Sequence, residues 1–250
     1  MPRALALALL LLPLTALADP TADEIVQQAR DAQRASNMIQ TVEMVLVSKR
    51  GGERRRTYEL KSRRDGEIVK SYTRFLEPAD VAGTQLALVD NPDRDDEQLL
   101  YLPALKRVTR ISGRSRSGAF MGSDFRYEDF EFNDDEDDTH SIAEETDTEW
   151  VIETVHADGS TFARSRTWIP KADKVPRRVQ NFDEDGEKVR ELVVEDVRVL
   201  EGVTVPVRSV MTNLEKGTST RLEVGDVRVN VPAEEIPDEM FTSAWLEQNG

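Results

Sequence analysis

The chain reads as mainly β, formally α+β: one N-terminal helix, then a large curved antiparallel sheet or open barrel of about ten or eleven strands. Three observations carry this. Apolar residues recur at helical spacing only once, near the start. From Gln40 to Val231 no helical pattern of any length returns, and the spacing is two. Glycine turn pairs separate these runs at hairpin intervals.

The helix opens on Thr21-Ala22-Asp23-Glu24, a capping box in which hydroxyl and carboxylate satisfy free backbone N–H groups. Ile25, Val26, Ala29 and Ala32 then form one apolar stripe, which predicts a helix over Ala22–Ala35, fading near Ser36-Asn37. Small alanines bury little area, so the helix docks weakly. It is either a movable lid, with Ile25 a candidate contact for a ligand or partner, or a permanent plug.

Strands follow. Val42, Met44 and Leu46 alternate up to the Gly51-Gly52 turn. Arg54, Arg56, Tyr58 and Leu60 share one face of the next strand, and Arg55, Thr57, Glu59 and Lys61 the other. Asp65-Gly66 leads into a strand over Ile68–Leu76. Leu99–Pro103 and Val108–Ile111 are short strands around Ala104-Leu105-Lys106. In the second half Glu149–Val155 and Thr161–Ile169 flank Asp158-Gly159, and Lys174–Phe182 and Lys188–Leu200 flank Asp185-Gly186. Glu201-Gly202 precedes Val203–Asn213, and Lys216-Gly217 precedes Ser219–Val231. Such pairs fit the left-handed conformations of tight hairpins.

Residues Ser112–Phe132 break the pattern. Gly113, Gly118 and Gly122 accompany Phe120, Met121, Phe125, Tyr127 and Phe130. Either this is a long loop packed on the sheet, or it is functional. The expectation here is that Phe120, Met121 and Phe125 lie at the rim of a cavity or on a partner-facing loop, and that these three, with Tyr127 and Leu105, are candidates to meet a ligand or partner. Lys106, Arg107, Arg110, Arg114 and Arg116 form a basic run without an acid. Lys106, Arg107 and Arg110 are candidates for an anionic headgroup or a partner, though pairing with the acids at 134–138 is an equal reading. That acidic run reads most simply as a solvated loop.

Composition narrows function. Net charge is −15 over 250 residues, which disfavours nucleic acid. Cysteine is absent, which removes disulfides, thiol catalysis and a lipid anchored on cysteine. Met1–Ala18 carries Arg3, an Ala/Leu run and Ala16-Leu17-Ala18, the order of a secretory signal, so one mature domain is expected over residues 19–250, in a periplasm. Gly113-Arg114-Ser115-Arg116-Ser117-Gly118 misses the nucleophile elbow by one position. His140 and His156 have no zinc spacing, and no phosphate or dinucleotide loop is present. No catalytic residue, metal or cofactor is expected.

Three segments carry a family likeness. Residues 75–84 (FLEPADVAGT), 101–111 (YLPALKRVTRI) and 120–129 (FMGSDFRYED) resemble the outer-membrane lipoprotein-sorting proteins, similar in fold to the periplasmic carriers LolA and LolB. The resemblance implies an unclosed antiparallel β-barrel, a helical lid and an apolar cavity for the acyl chain of a lipid or lipoprotein. It implies no catalysis, transient contact with a membrane surface, and association with an RND-type permease. Two functions compete: a soluble carrier, and an accessory subunit of an RND-type transporter without lipid cargo of its own. An enzyme with an unrecognised carboxylate pair is a third.

Overall fold

The computed structural model describes residues 19–33, 37–91, 96–131 and 137–250. The expected leader at 1–18, the end expected for the helix at Arg34 and Ala35, and Asp134, Asp135 and Glu136 lie outside them. Helix α1 spans Ala22–Gln33. Its capping box forms: the Thr21 amide donates to Glu24 Oε2 at 2.8 Å, and the Glu24 amide to Thr21 Oγ1 at 3.3 Å.

Among the described residues thirteen strands follow, against the ten or eleven expected. They are β1 (Met38–Val47), β2 (Glu53–Asp65), β3 (Ile68–Glu77), β4 (Gln85–Asp90), β5 (Glu97–Leu102), β6 (Arg107–Ile111), β7 (Thr139–Glu145), β8 (Glu149–Val155), β9 (Arg164–Pro170), β10 (Arg178–Phe182), β11 (Lys188–Leu200), β12 (Val203–Asn213) and β13 (Thr218–Val229). The additions are β4 and β7. Strand β4 is buried on both faces, so its apolar run does not alternate. Strand β7 is a polar, largely exposed edge with no apolar period to read. The glycines of the expected hairpin turns, such as Gly66, Gly186 and Gly202, adopt positive φ.

All strands join one antiparallel sheet in the order β6-β5-β4-β3-β2-β1-β13-β12-β11-β10-β9-β8-β7. The chain builds two meanders outward, and β1 and β13 zip them together along Met38↔Val229 to Val47↔Ser219. Strands β6 and β7 are the unpaired edges, so the barrel is unclosed.

The sheet must curl strongly. Gln98 of β5 donates to the Tyr127 carbonyl at 3.2 Å, and Arg190 of β11 donates to Asp129 at 2.5 Å. Tyr127 and Asp129 are two residues apart, yet β5 and β11 are separated by seven strand spacings, about 34 Å on a flat sheet. Two side chains and a dipeptide cannot span that distance. The inner face of the curl is therefore the one carrying Gln98, Phe75, Tyr58, Met44, Met211 and Arg190.

The outer face of β3–β6 is covered by the C-terminal segment, which includes α2 (Ser243–Gln248), an element absent from the sequence reading. Tyr72, Ala87, Leu99 and Tyr101 pack on Ile236, Met240, Phe241 and Leu246. Gln85 ties it down: it accepts from the Tyr72 hydroxyl at 2.7 Å and donates to the Leu246 carbonyl at 3.0 Å.

Candidate functional site

Register places the apolar side chains. Ile152 pairs with Thr167, Thr167 with Val179, Val179 with Leu192 and Leu192 with Met211, so one inner row crosses β8 to β12. Val224, Val42, Tyr58 and Phe75 form a parallel row across β13 to β3. The strand period of two puts both rows on one surface.

Two parts of the chain cover this surface. Helix α1 covers one end, where Ile25 and Ala29 are buried on Trp150, Ile152 and Ile169. The segment 112–131 covers the other. It links edge strand β6 toward edge strand β7 by way of short 3-10 turns at Gly113–Ser115, Phe120–Gly122 and Tyr127–Phe130. Phe120 is 2% exposed and packs with Phe125, Tyr127, Phe75, Tyr58 and Met211 in the main core cluster. Its ring lies 4.8 Å from that of Phe130 and 5.7 Å from those of Phe75 and Tyr127.

Polar bolts hold this cover. Asp124 accepts from the Thr218 hydroxyl at 2.5 Å and the Thr220 hydroxyl at 2.9 Å, and its amide donates to Thr220 Oγ1 at 2.9 Å. Arg190 is 1% exposed, and its Nη2 donates to the Asp124 carbonyl at 3.0 Å and to Asp129. Its Nε and Nη1 have no hydrogen-bond partner among the described residues. Arg56 donates to the Met121 carbonyl, and Arg116 to Glu131. Burial pushes the Glu131 carboxyl above its ordinary range against the pull of Arg116. Burial likewise raises the Tyr58 and Tyr127 phenols. Arg126 is lowered by burial first and then by the Arg190 charge; both guanidiniums lie over the Phe162 ring.

The inner face is not fully buried by these covers. Leu60, Leu192, Leu222 and Val224 are only half-buried, with Met121 and Phe130 beside them. A separate cleft of about 390 Å³ at the β11–β12 turn is lined by Leu200, Val227, Val229, Val231 and Pro232, with Glu201, Arg228 and Asn230. The inner face offers aliphatic side chains and the cleft a mixed polar and apolar lining; among the described residues that line them no nucleophile stands beside a base.

The sequence candidates fall in three places. Phe120, Met121, Phe125 and Tyr127 come together over the inner face, three of them buried and Met121 partly so. Ile25 lies apart, under α1. Leu105, Lys106, Arg107 and Arg110 are exposed on the β5–β6 hairpin. The sequence reading missed Arg190, Asp124, Thr218 and Thr220; no spacing signal links residues so far apart in the chain. It also missed Leu192, Leu222 and Val224 as half-buried residues of the inner face, although strand alternation marks their shared face.

A family model of uncharacterised proteins matches residues 67–248. No curated protein matches the chain. Among solved structures, a Vibrio parahaemolyticus domain named for outer membrane lipoprotein sorting is 30% identical, with a TM-score of 0.78 over 90% of this chain and 99% of that one. A DUF1329 family protein from Desulfovibrio piger is 22% identical, with a TM-score of 0.79 over 91% and 100%. A LolA superfamily protein from Nitrosomonas europaea is 19% identical, with a TM-score of 0.67 over 91% and 100%. These last two share the fold.

Proposed function

Because the chain belongs to the outer membrane lipoprotein-sorting protein family, we propose that it is a periplasmic, non-catalytic carrier that shelters the acyl chain of a lipid or lipoprotein for transfer to or from the outer membrane. The observation that carries this reading is the curled inner face, where Leu60, Leu192, Leu222 and Val224 stay only partly buried although the chain itself supplies two covers for that face. Each methylene sheltered there contributes about 0.8 kcal/mol, so an acyl chain offsets the partial displacement of a cover. Helix α1 is the cover suited to move. It buries only Ile25 and Ala29, and both are borne by one twelve-residue helix. Residues 112–131 are the firmer cover, because polar bolts from β2, β5, β11 and β13 hold them. Phe120, Met121, Phe125 and Tyr127 then form the roof of the site.

The test is native mass spectrometry with lipid extraction on protein purified from the periplasm. The carrier reading expects adducts of acyl-lipid mass that leave on extraction. A clean apoprotein that instead captures an RND-type permease supports the accessory-subunit reading and overturns this one.

A further inference from the structure

The cations of this protein divide unevenly. Along β7–β13 many pair with carboxylates across the sheet: Arg164 and Arg166 with Glu153, Arg178 and Lys188 with Glu191, Arg221 with Glu53. At one end of the β1–β6 half Arg55 pairs with Glu43 and Glu53, but other cations there do not pair among the described residues. Arg50, Arg54, Lys106 and Arg107 are exposed, and none has a carboxylate partner among the described residues. Antiparallel connectivity puts the β1–β2, β3–β4 and β5–β6 turns at the same end of the sheet. The last two of these turns touch: a Cβ placed on Gly83 would lie 3.2 Å from Pro103 Cγ.

The same rim carries two exposed leucines, Leu105 at 54% on the β5–β6 turn and Leu76 at 45% near the end of β3. Elsewhere on this half, outer-face apolar side chains are covered by the C-terminal segment. The acids of the rim are Glu53, already paired with Arg55 and Arg221, Glu77, and Asp80, which lies near Arg56; Glu215 stands on the neighbouring β12–β13 turn beside Lys216.

We propose that this rim docks on an anionic lipid surface, with Leu105 and Leu76 entering the headgroup layer and Arg50, Arg54, Lys106 and Arg107 against the phosphates. Two separated leucines are too little apolar area for the core of a stable protein interface, which needs about 800 Å² per partner. They suit shallow insertion beside cations. The net charge of −15 repels such a surface at long range, but screening over about 8 Å at physiological salt leaves the rim to feel its own neighbourhood. The proposal gives the carrier reading its membrane-facing end and rests on that reading for its purpose.

The experiment is co-sedimentation of the full protein with vesicles of equal phosphatidylglycerol and phosphatidylcholine, or of phosphatidylcholine alone. Binding is expected only with phosphatidylglycerol, and it should fall with added salt. Each cation near the surface is worth roughly fivefold in partitioning, so Lys106→Glu/Arg107→Glu should weaken binding at least tenfold. Leu105→Asp, at an exposed site, should weaken it severalfold. Arg198→Glu/Arg208→Glu makes the same charge change at exposed positions of β11 and β12 and should stay within twofold of the parent. Equal loss in both double variants, equal binding to both vesicle types, no binding at all, or capture of an acidic protein in place of vesicles overturns the proposal. Lipid extraction of Lys106→Glu/Arg107→Glu separates the two readings. Retained acyl lipid with lost docking leaves the carrier standing, and docking by a lipid-free parent protein sinks the carrier alone.

Discussion

Replacing Phe120 with alanine measures whether residues 112–131 are part of the core or a removable flap. The ring is 2% exposed and meets Phe75, Tyr127 and Phe130 at centroid distances of 5.7, 5.7 and 4.8 Å. A buried aromatic removes roughly 150–250 Å² from water, and at about 25 cal/mol per Å² that is about 4–6 kcal/mol gross. Alanine keeps part of that burial and the site relaxes in part, so the expected loss is about 3–5 kcal/mol. Phe130→Ala is the internal comparison: its ring is only partly buried against the same cluster, so it should cost less. The assay is urea unfolding followed by tryptophan fluorescence, with the m-value checked to be unchanged. A loss below about 1 kcal/mol for Phe120→Ala would refute the reasoning. It would mean that the segment lifts off the sheet at little cost and that its aromatic packing does not support the fold.

Arg190→Met should destabilise by about 2 kcal/mol, less than the 3–5 kcal/mol usual for breaking a buried ion pair, because the change also removes two unpartnered guanidinium nitrogens. Hydrogen exchange should rise across residues 120–130, and unchanged exchange there would show that Arg190 does not anchor the segment. Glu191 supplies a pH test. Burial raises its pKa, but hydrogen bonds from Gln180, Arg178 and Lys188 outweigh this and bring it from 4.5 down to about 2. A depressed carboxylate stabilises the fold above its unfolded pKa, and that contribution is lost as pH falls from about 4.5 toward 2. With solvent screening it amounts to about 1–2 kcal/mol. Glu191→Gln should lose that amount at neutral pH and flatten the acid limb of the stability curve between these values, so an acid limb as steep as the parent's would count against the assignment.

Local features were legible in the sequence because their causes are local. The capping box at Thr21 and Glu24 forms as read, since both partners sit within one turn of helix. The hairpin glycines fall at positive φ, since a tight turn demands it wherever the strands go. Alternation of Arg54, Arg56, Tyr58 and Leu60 put the right residues on one face of β2. The unclosed antiparallel architecture followed from these signals together with the three family segments. Strand β4 was silent because burial on both faces erases alternation, and β7 because an exposed edge needs none.

What only the tertiary structure decided is where the non-local pieces meet. Pairing of β1 with β13 brings the two meanders together, and no pattern in either strand names the other. Curling then brings β5 and β11 to one short segment, so that Gln98 and Arg190 both hold residues 112–131 over the inner face. Sequence spacing marked Phe120, Met121 and Phe125 as unusual in a glycine-rich stretch, but not whether they face solvent, a partner or the core. That depends on the depth of the curl, a property of thirteen strands packed together. It is set by twist and by side-chain volumes on both faces, and neither is written in any one stretch of chain.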